Sequence, residues 1–205
     1  MHLEAIKSES RAILERLKSF SDFYLGGGTA LALQVGHRVS VDFDLFCGQK
    51  LPTQLLADVE KVFAGQPVAI EVNNANQLSV KVATTQITFL CYPFPLLEQL
   101  VDFNGLKILS VSEITATKAY TIGRRATFKD YVDLYFVLKE RHADLKQIIV
   151  LAEKKYAQAF NARLFLEQLL YLDDIAETPL TFLGEPVSLK QLAEFFTKVT
   201  KSFEL

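Results

Sequence analysis

The stretch Phe23-Tyr24-Leu25-Gly26-Gly27-Gly28-Thr29-Ala30-Leu31-Ala32-Leu33-Gln34-Val35, followed after four intervening residues by Ser40-Val41-Asp42-Phe43-Asp44-Leu45-Phe46, decides the fold class. Phe23-Tyr24-Leu25 predicts a short strand. Three glycines supply a turn, and Thr29 stands at a capping position before an apolar helix. Ser40 to Phe46 alternates polar and apolar residues, which predicts a strand with Val41, Phe43 and Leu45 toward the core. Upstream, Leu3, Ile6, Ile13, Leu14 and Leu17 recur at helical spacing, so a helix over about Leu3 to Phe20 opens the chain. Downstream, Pro52 to Phe63 predicts a helix. Val68–Val72, Leu78–Ala83 and Ile87–Tyr92 predict strands, with Asn73-Asn74-Ala75-Asn76 as a hairpin loop. From about residue 100 the pattern turns helical. Ser110 and Glu113 resemble a capping box opening a helix to about Arg124, followed by helices over Lys129–Arg141, Asp144–Tyr156, Arg163–Leu172 and Leu189–Lys201. The expectation is a mixed α/β (α+β) protein: a sheet domain over residues 1–100 and a helical region over 101–205.

Composition bounds the function classes. The 205 residues include 16 Phe and 7 Tyr and are half hydrophobic, enough to bury a core. With 22 basic and 24 acidic residues the net charge is -2, so there is no general electrostatic pull toward nucleic acid. No apolar run suits a membrane span, and Cys47 and Cys91 alone make no disulfide framework. Reduced thiols in a bacterial-type cytoplasm are the expectation.

The chemistry concentrates in the opening stretch. On a strand, Asp42 and Asp44 point to one face, about 6–7 Å apart along the chain, and two carboxylates that close repel unless a cation neutralises them. Hard oxygen donors suit magnesium bridging substrate phosphates. An isolated Asp-x-Asp is more often an exposed acidic strand, since the tripeptide is too short to be specific. Gly27 and Gly28 at a helix start allow close approach to the main chain, and the N–H groups of that first turn, Thr29 included, favour a phosphate. Together they supply both halves of a metal–triphosphate site. His37 and Arg38 suit a supporting role, bonding the glycine turn or neutralising the aspartates.

Gly27-Gly28-Thr29-Ala30-Leu31, Gly36-His37-Arg38, Ser40 and Asp42-Phe43-Asp44-Leu45-Phe46, then Lys118, Arg125, Lys129-Asp130, Asp133-Leu134 and Tyr171-Leu172-Asp173-Asp174, resemble in this order the AbiEii family of nucleotidyltransferase-like proteins. That family supplies toxins of type IV toxin–antitoxin and abortive-infection systems. The resemblance implies a polymerase-beta-like minimal nucleotidyltransferase sheet flanked by helices, with a helical C-terminal part that completes the site. It also implies magnesium-dependent transfer of a nucleotide from a nucleoside triphosphate to an acceptor hydroxyl, on an RNA such as tRNA, a protein or a small molecule, and a cognate antitoxin. By resemblance Asp42 and Asp44 hold the metal, Lys118 contacts triphosphate oxygens, and Asp130 assists catalysis or orients that lysine. Arg125 and Lys129 add positive charge beside a phosphate or acceptor. The bland alternative makes Lys129 and Asp133 an exposed i,i+4 pair, with Arg124 and Arg125 capping a helix end. One departure matters. Related sequences often carry an acid four residues before Tyr92-Pro93, where this chain has Thr88, so a module that binds nucleotide or partner but has lost catalysis is the rival reading. Glu71 and Asp130 are the carboxylates offered as substitutes.

Overall fold

A computed structural model describes residues 1–203, which form two compact units: residues 1–95 with 99–109, and residues 96–98 with those from Ser110 onward. No helix among the described residues is long and apolar enough to cross a membrane.

The first unit is a sheet with helices. In chain order it carries α1 (Ser8–Leu17), β1 (Tyr24–Gly26), α2 (Gly27–Val35), β2 (Phe43–Cys47), α3 (Leu55–Val62), β3 (Val68–Asn73), β4 (Gln77–Val82), β5 (Thr85–Cys91), β6 (Val101–Phe103) and β7 (Leu106–Ile108). The strands form one mixed sheet in the order β3-β4-β5-β2-β1-β7-β6. β2 lies at its centre, antiparallel to β1 and parallel to β5. Alternation explains the core: Phe43 and Leu45 are buried opposite Ile87 and Phe89, and Phe20 and Phe23 meet Phe89 edge-on at centroid distances of 4.9 and 5.1 Å. Full burial of each such side chain contributes about 1.5–3 kcal/mol.

Two expectations fail here. β2 begins at Phe43, and Val41 is 42% exposed, because residues 40–42 are held by other bonds: Ser40 bridges to Ile6 and the Thr29 hydroxyl takes the Asp42 carbonyl. The chain also does not turn helical at residue 100. β6 and β7 form a hairpin through Asn104 (φ 50) and Gly105 (φ 89), with Asp102 accepting from the Gly105 amide at 3.1 Å.

The second unit is helical: α4 (Val111–Arg125), α5 (Phe128–Lys139), α6 (Leu145–Tyr156), α7 (Ala162–Leu170) and α8 (Leu189–Lys201). Side-chain caps fix several starts. Thr127 with Asp130, Asp144 with Gln147, and Ser188 with Gln191 form capping boxes, each bonding both ways. At α4 Ser110 Oγ accepts from the Glu113 amide at 3.2 Å, but the Glu113 carboxylate does not return to close the predicted box. It is fully buried and accepts from the Leu97 and Glu98 amides and from Lys155 Nζ at 2.6 Å.

Candidate active site

The site in the sheet unit is built where β1 passes directly into α2. Gly26 is the Cα partner of Asp44 across the β1–β2 ladder, so the helix start and the acidic strand are neighbours. Gly26 has no room for a side chain: a Cβ there would lie 2.4 Å from the Phe46 ring. At Gly27, with φ +65°, a Cβ would lie 2.3 Å from Asp44 Oδ2. The Asp44 carboxylate therefore occupies the space that any other residue at position 27 would need. It also sits beside the positive end of α2, whose first-turn N–H groups include those of Gly27, Gly28 and Thr29.

Thr29 does not cap α2, which begins two residues earlier at Gly27. Buried in the first turn, its hydroxyl bonds Ser40 Oγ at 2.7 Å and donates to the Asp42 carbonyl oxygen. This bracket fixes the segment that delivers Asp42 to the start of β2. Asp42 and Asp44 are both half-buried, and His37 and Arg38, in the connection between α2 and β2, are buried at 3% and 4% exposure. Thr88 is the Cα partner of Asp44 on β5, hence on the same face, and its hydroxyl lies 3.4 Å from Ser79 Oγ. Glu71 lies on edge strand β3, two strands from β5, exposed and accepting from Gln86 Nε2 at 2.8 Å.

Among the described residues no three His, Cys, Asp or Glu side chains gather as a metal cluster. The Asp44 carboxylate lies beside the α2 N-terminus, and Asp42 stands one residue before β2, outside the strand. A phosphate brought to those N–H groups would stand next to the Asp44 carboxylate, and a divalent cation held there would offset the repulsion between the two anions. Carboxylate oxygens are hard donors, and the residues present fit a divalent cation.

The helical unit holds the second cluster. Lys118 on α4 is buried, with Nζ 2.8 Å from Asp130 Oδ1 and 2.7 Å from Asp133 Oδ2, both on α5. Burial alone would lower the Lys118 ammonium's pKa; the Asp133 and Asp130 carboxylates outweigh it and hold the group above its ordinary value. Burial would likewise raise Asp130, but Lys118 and the Thr127 hydroxyl bring it below the usual carboxylate range. The second Asp130 oxygen accepts from the Thr127 amide at 3.0 Å and hydroxyl at 2.7 Å. Asp130 thus holds Lys118 in an ion pair and is itself held by Thr127. Asp133 is fully buried, so the exposed Lys129–Asp133 pair does not form, whereas Arg125 and Lys129 are exposed. Arg124 lies 4.2 Å over the Tyr120 ring and donates to the Ala159 carbonyl at 2.8 Å.

Residues 11–204 match the family described as "Nucleotidyl transferase AbiEii toxin, Type IV TA system". The chain belongs to that nucleotidyltransferase toxin family. It is 30% identical over 206 residues to the uncharacterized protein aq_aa25 of Aquifex aeolicus (strain VF5), covering 98% of each chain. Its fold is similar to that of MenT4, a nucleotidyltransferase toxin of Mycobacterium tuberculosis H37Rv, at a TM-score of 0.58 and 18% identity over 90% of this chain and 77% of that one. JHP933 from Helicobacter pylori gives a TM-score of 0.57 and 17% identity over 96% and 94%.

Proposed function

We propose that this chain transfers a nucleotide from a nucleoside triphosphate to an acceptor hydroxyl and releases pyrophosphate, as the toxin of a toxin–antitoxin pair. The observation that supports the reading is the Asp44 carboxylate lodged against Gly27 at the first turn of α2, beside the N–H groups of that helix start. Asp42 and Asp44 would hold magnesium, and the N–H groups of Gly27, Gly28 and Thr29 would orient the phosphates. Bound there, the metal would draw charge from the phosphate oxygens. Lys118, oriented by Asp130, is offered for triphosphate charge, and Arg125 and Lys129 for a phosphate or the acceptor. The acceptor classes are an RNA such as tRNA, a protein or a small molecule, and a cognate antitoxin is the expected partner. Incubation with each labelled triphosphate, magnesium and total cellular RNA or lysate tests transfer and acceptor together. Binding is tested separately by calorimetry. Triphosphate affinity should require magnesium and vanish in the Asp42→Asn, Asp44→Asn double variant, with its circular dichroism unchanged; equal affinity without metal or in the double variant overturns the site.

A second reading is favoured by Thr88, which stands opposite Asp44 where a third carboxylate would sit. Here the chain binds nucleotide or partner and transfers nothing, because threonine supplies neither an anionic ligand nor a general base.

A further inference from the structure

Cys47 ends β2 and Cys91 ends β5, and the two are Cα partners in a parallel ladder that pairs Phe43 with Ile87 at its other end. Residues in register on neighbouring strands send their side chains to the same face. Adjacent strands lie about 4.7–4.9 Å apart, inside the Cα separation of roughly 4.4–6.8 Å that a disulfide spans. The ladder continues past the pair, since the Tyr92 amide donates to the Cys47 carbonyl at 2.7 Å, so the backbone holds the two cysteines together. Both are free thiols.

Their surroundings assign them different parts. Cys91 is half-buried and open to a small reagent, whereas Cys47 is buried and its Sγ donates to the Gln49 carbonyl at 3.1 Å. Burial pushes the Cys47 thiol up, which keeps it protonated and slow to meet a reagent on its own. Straight parallel neighbours also leave their Cβ atoms nearer the strand spacing than the roughly 3.5–4.5 Å of a relaxed disulfide. A bond formed here is strained, and strained disulfides are readily reduced.

We propose that Cys47 and Cys91 form a modification site, a dithiol that closes reversibly to an intramolecular disulfide when it meets a low-molecular-weight disulfide. The Cys91 thiolate attacks one sulfur of the reagent, forming a mixed disulfide and expelling one reagent thiolate. Cys47 then loses its proton and attacks Cys91 Sγ, breaking the mixed disulfide and expelling the second thiolate. Two protein thiols are oxidised, one reagent disulfide is reduced to two thiols, and the two protons released by the cysteines end on those thiols. The bond would span the β2–β5 seam, where, among the described residues, the β3-β4-β5 meander joins the rest of the sheet. None of this depends on the nucleotidyl-transfer reading.

The test uses the full chain in glutathione buffers of graded ratio, followed by thiol alkylation and mass spectrometry. Expected is the loss of both alkylation sites together with the mass of two hydrogens, a Cys47–Cys91 linked peptide, a transition within the glutathione range, and full reversal by dithiothreitol. Closure should be at least about tenfold faster in the folded protein than in urea, because the fold holds the thiols adjacent. In Cys47→Ser the reaction should stop at a stable glutathione adduct on Cys91, and in Cys91→Ser the remaining thiol should stay unmodified. The proposal is overturned if both thiols of the folded wild type remain alkylatable, if wild type accumulates the Cys91 adduct without resolving it, or if cross-links form only between chains or only after unfolding.

Discussion

At Gly27 a φ of +65° and a carboxylate oxygen 2.3 Å from where a Cβ would stand act on the same atom. Each alone disfavours a side chain, and only the second depends on Asp44. A double-mutant cycle therefore separates them. Gly27→Ala should cost about 1–3 kcal/mol from backbone strain, plus whatever is needed to push the Asp44 carboxylate aside. In an Asp44→Ala background the steric part is absent, so the same substitution should cost less, by about 0.5–3 kcal/mol, the range found for residues in contact. Urea unfolding of the four proteins gives the coupling. A coupling of zero would mean that the carboxylate does not rest on the glycine and that the site has lost its central contact. Thr29 adds a residue-level correction to the sequence: a threonine directly after three glycines looks like a cap, but its hydroxyl binds the chain that carries Asp42.

At the level of elements, the parallel β2–β5 pair sets what the site can do, because its register puts Thr88 opposite Asp44. Thr88→Asp would place a third carboxylate on that face. It should tighten metal binding and raise any transfer rate by about 10²-fold or more, the usual contribution of a general base. Transfer by wild type that is lost in Asp42→Ala and unimproved by Thr88→Asp would retire the degenerate reading. Transfer only in the Thr88→Asp protein would make the wild-type chain a module one carboxylate short. The elements behind this argument were legible in unequal measure. β2 declares itself by alternation, and α5, α6 and α8 by their helical pattern, while the capping boxes that fix their starts come from the structure. Val41 continues the alternation yet leaves the ladder, since alternation does not report the long-range bonds of Ser40 and Asp42. The β6–β7 hairpin is too short for periodicity to register, although Asn104-Gly105 is the signal that could have found it. Glu113 has the spacing of a capping acid, but the cation it serves, Lys155, is 42 residues away. Spacing along a chain cannot weigh a local bond against such a distant one.

Over the whole molecule the formal charges nearly cancel at -2, so the dependence of stability on pH rests on a few buried groups rather than on net repulsion. Lys118 with Asp130 and Asp133 is the clearest case. Asp130 has its folded pKa depressed, so its stabilisation is present above the unfolded value of roughly 4 and is lost as pH falls through the lower folded value. Lys118 has its folded pKa raised, so its stabilisation is present below the unfolded value of roughly 10.5 and is lost as pH rises through the higher folded value. Between those limits the cluster contributes fully. Lys118→Met removes the cation and leaves two buried carboxylates, which should destabilise the protein by about 3–5 kcal/mol near neutrality. In that variant burial acts on the carboxyls without Lys118 to oppose it, so their folded pKa values rise above the unfolded one and the sign of the linkage reverses. Acidification then relieves the variant by protonating Asp130 and Asp133, while the wild-type cluster keeps its contribution down to roughly pH 4. Urea midpoints of both proteins, followed by circular dichroism from neutral pH to about 4.5, should converge as the pH falls. A gap that stays constant across that range would mean that the carboxylates are solvated once the lysine is gone, and that the cluster is no buried charge network.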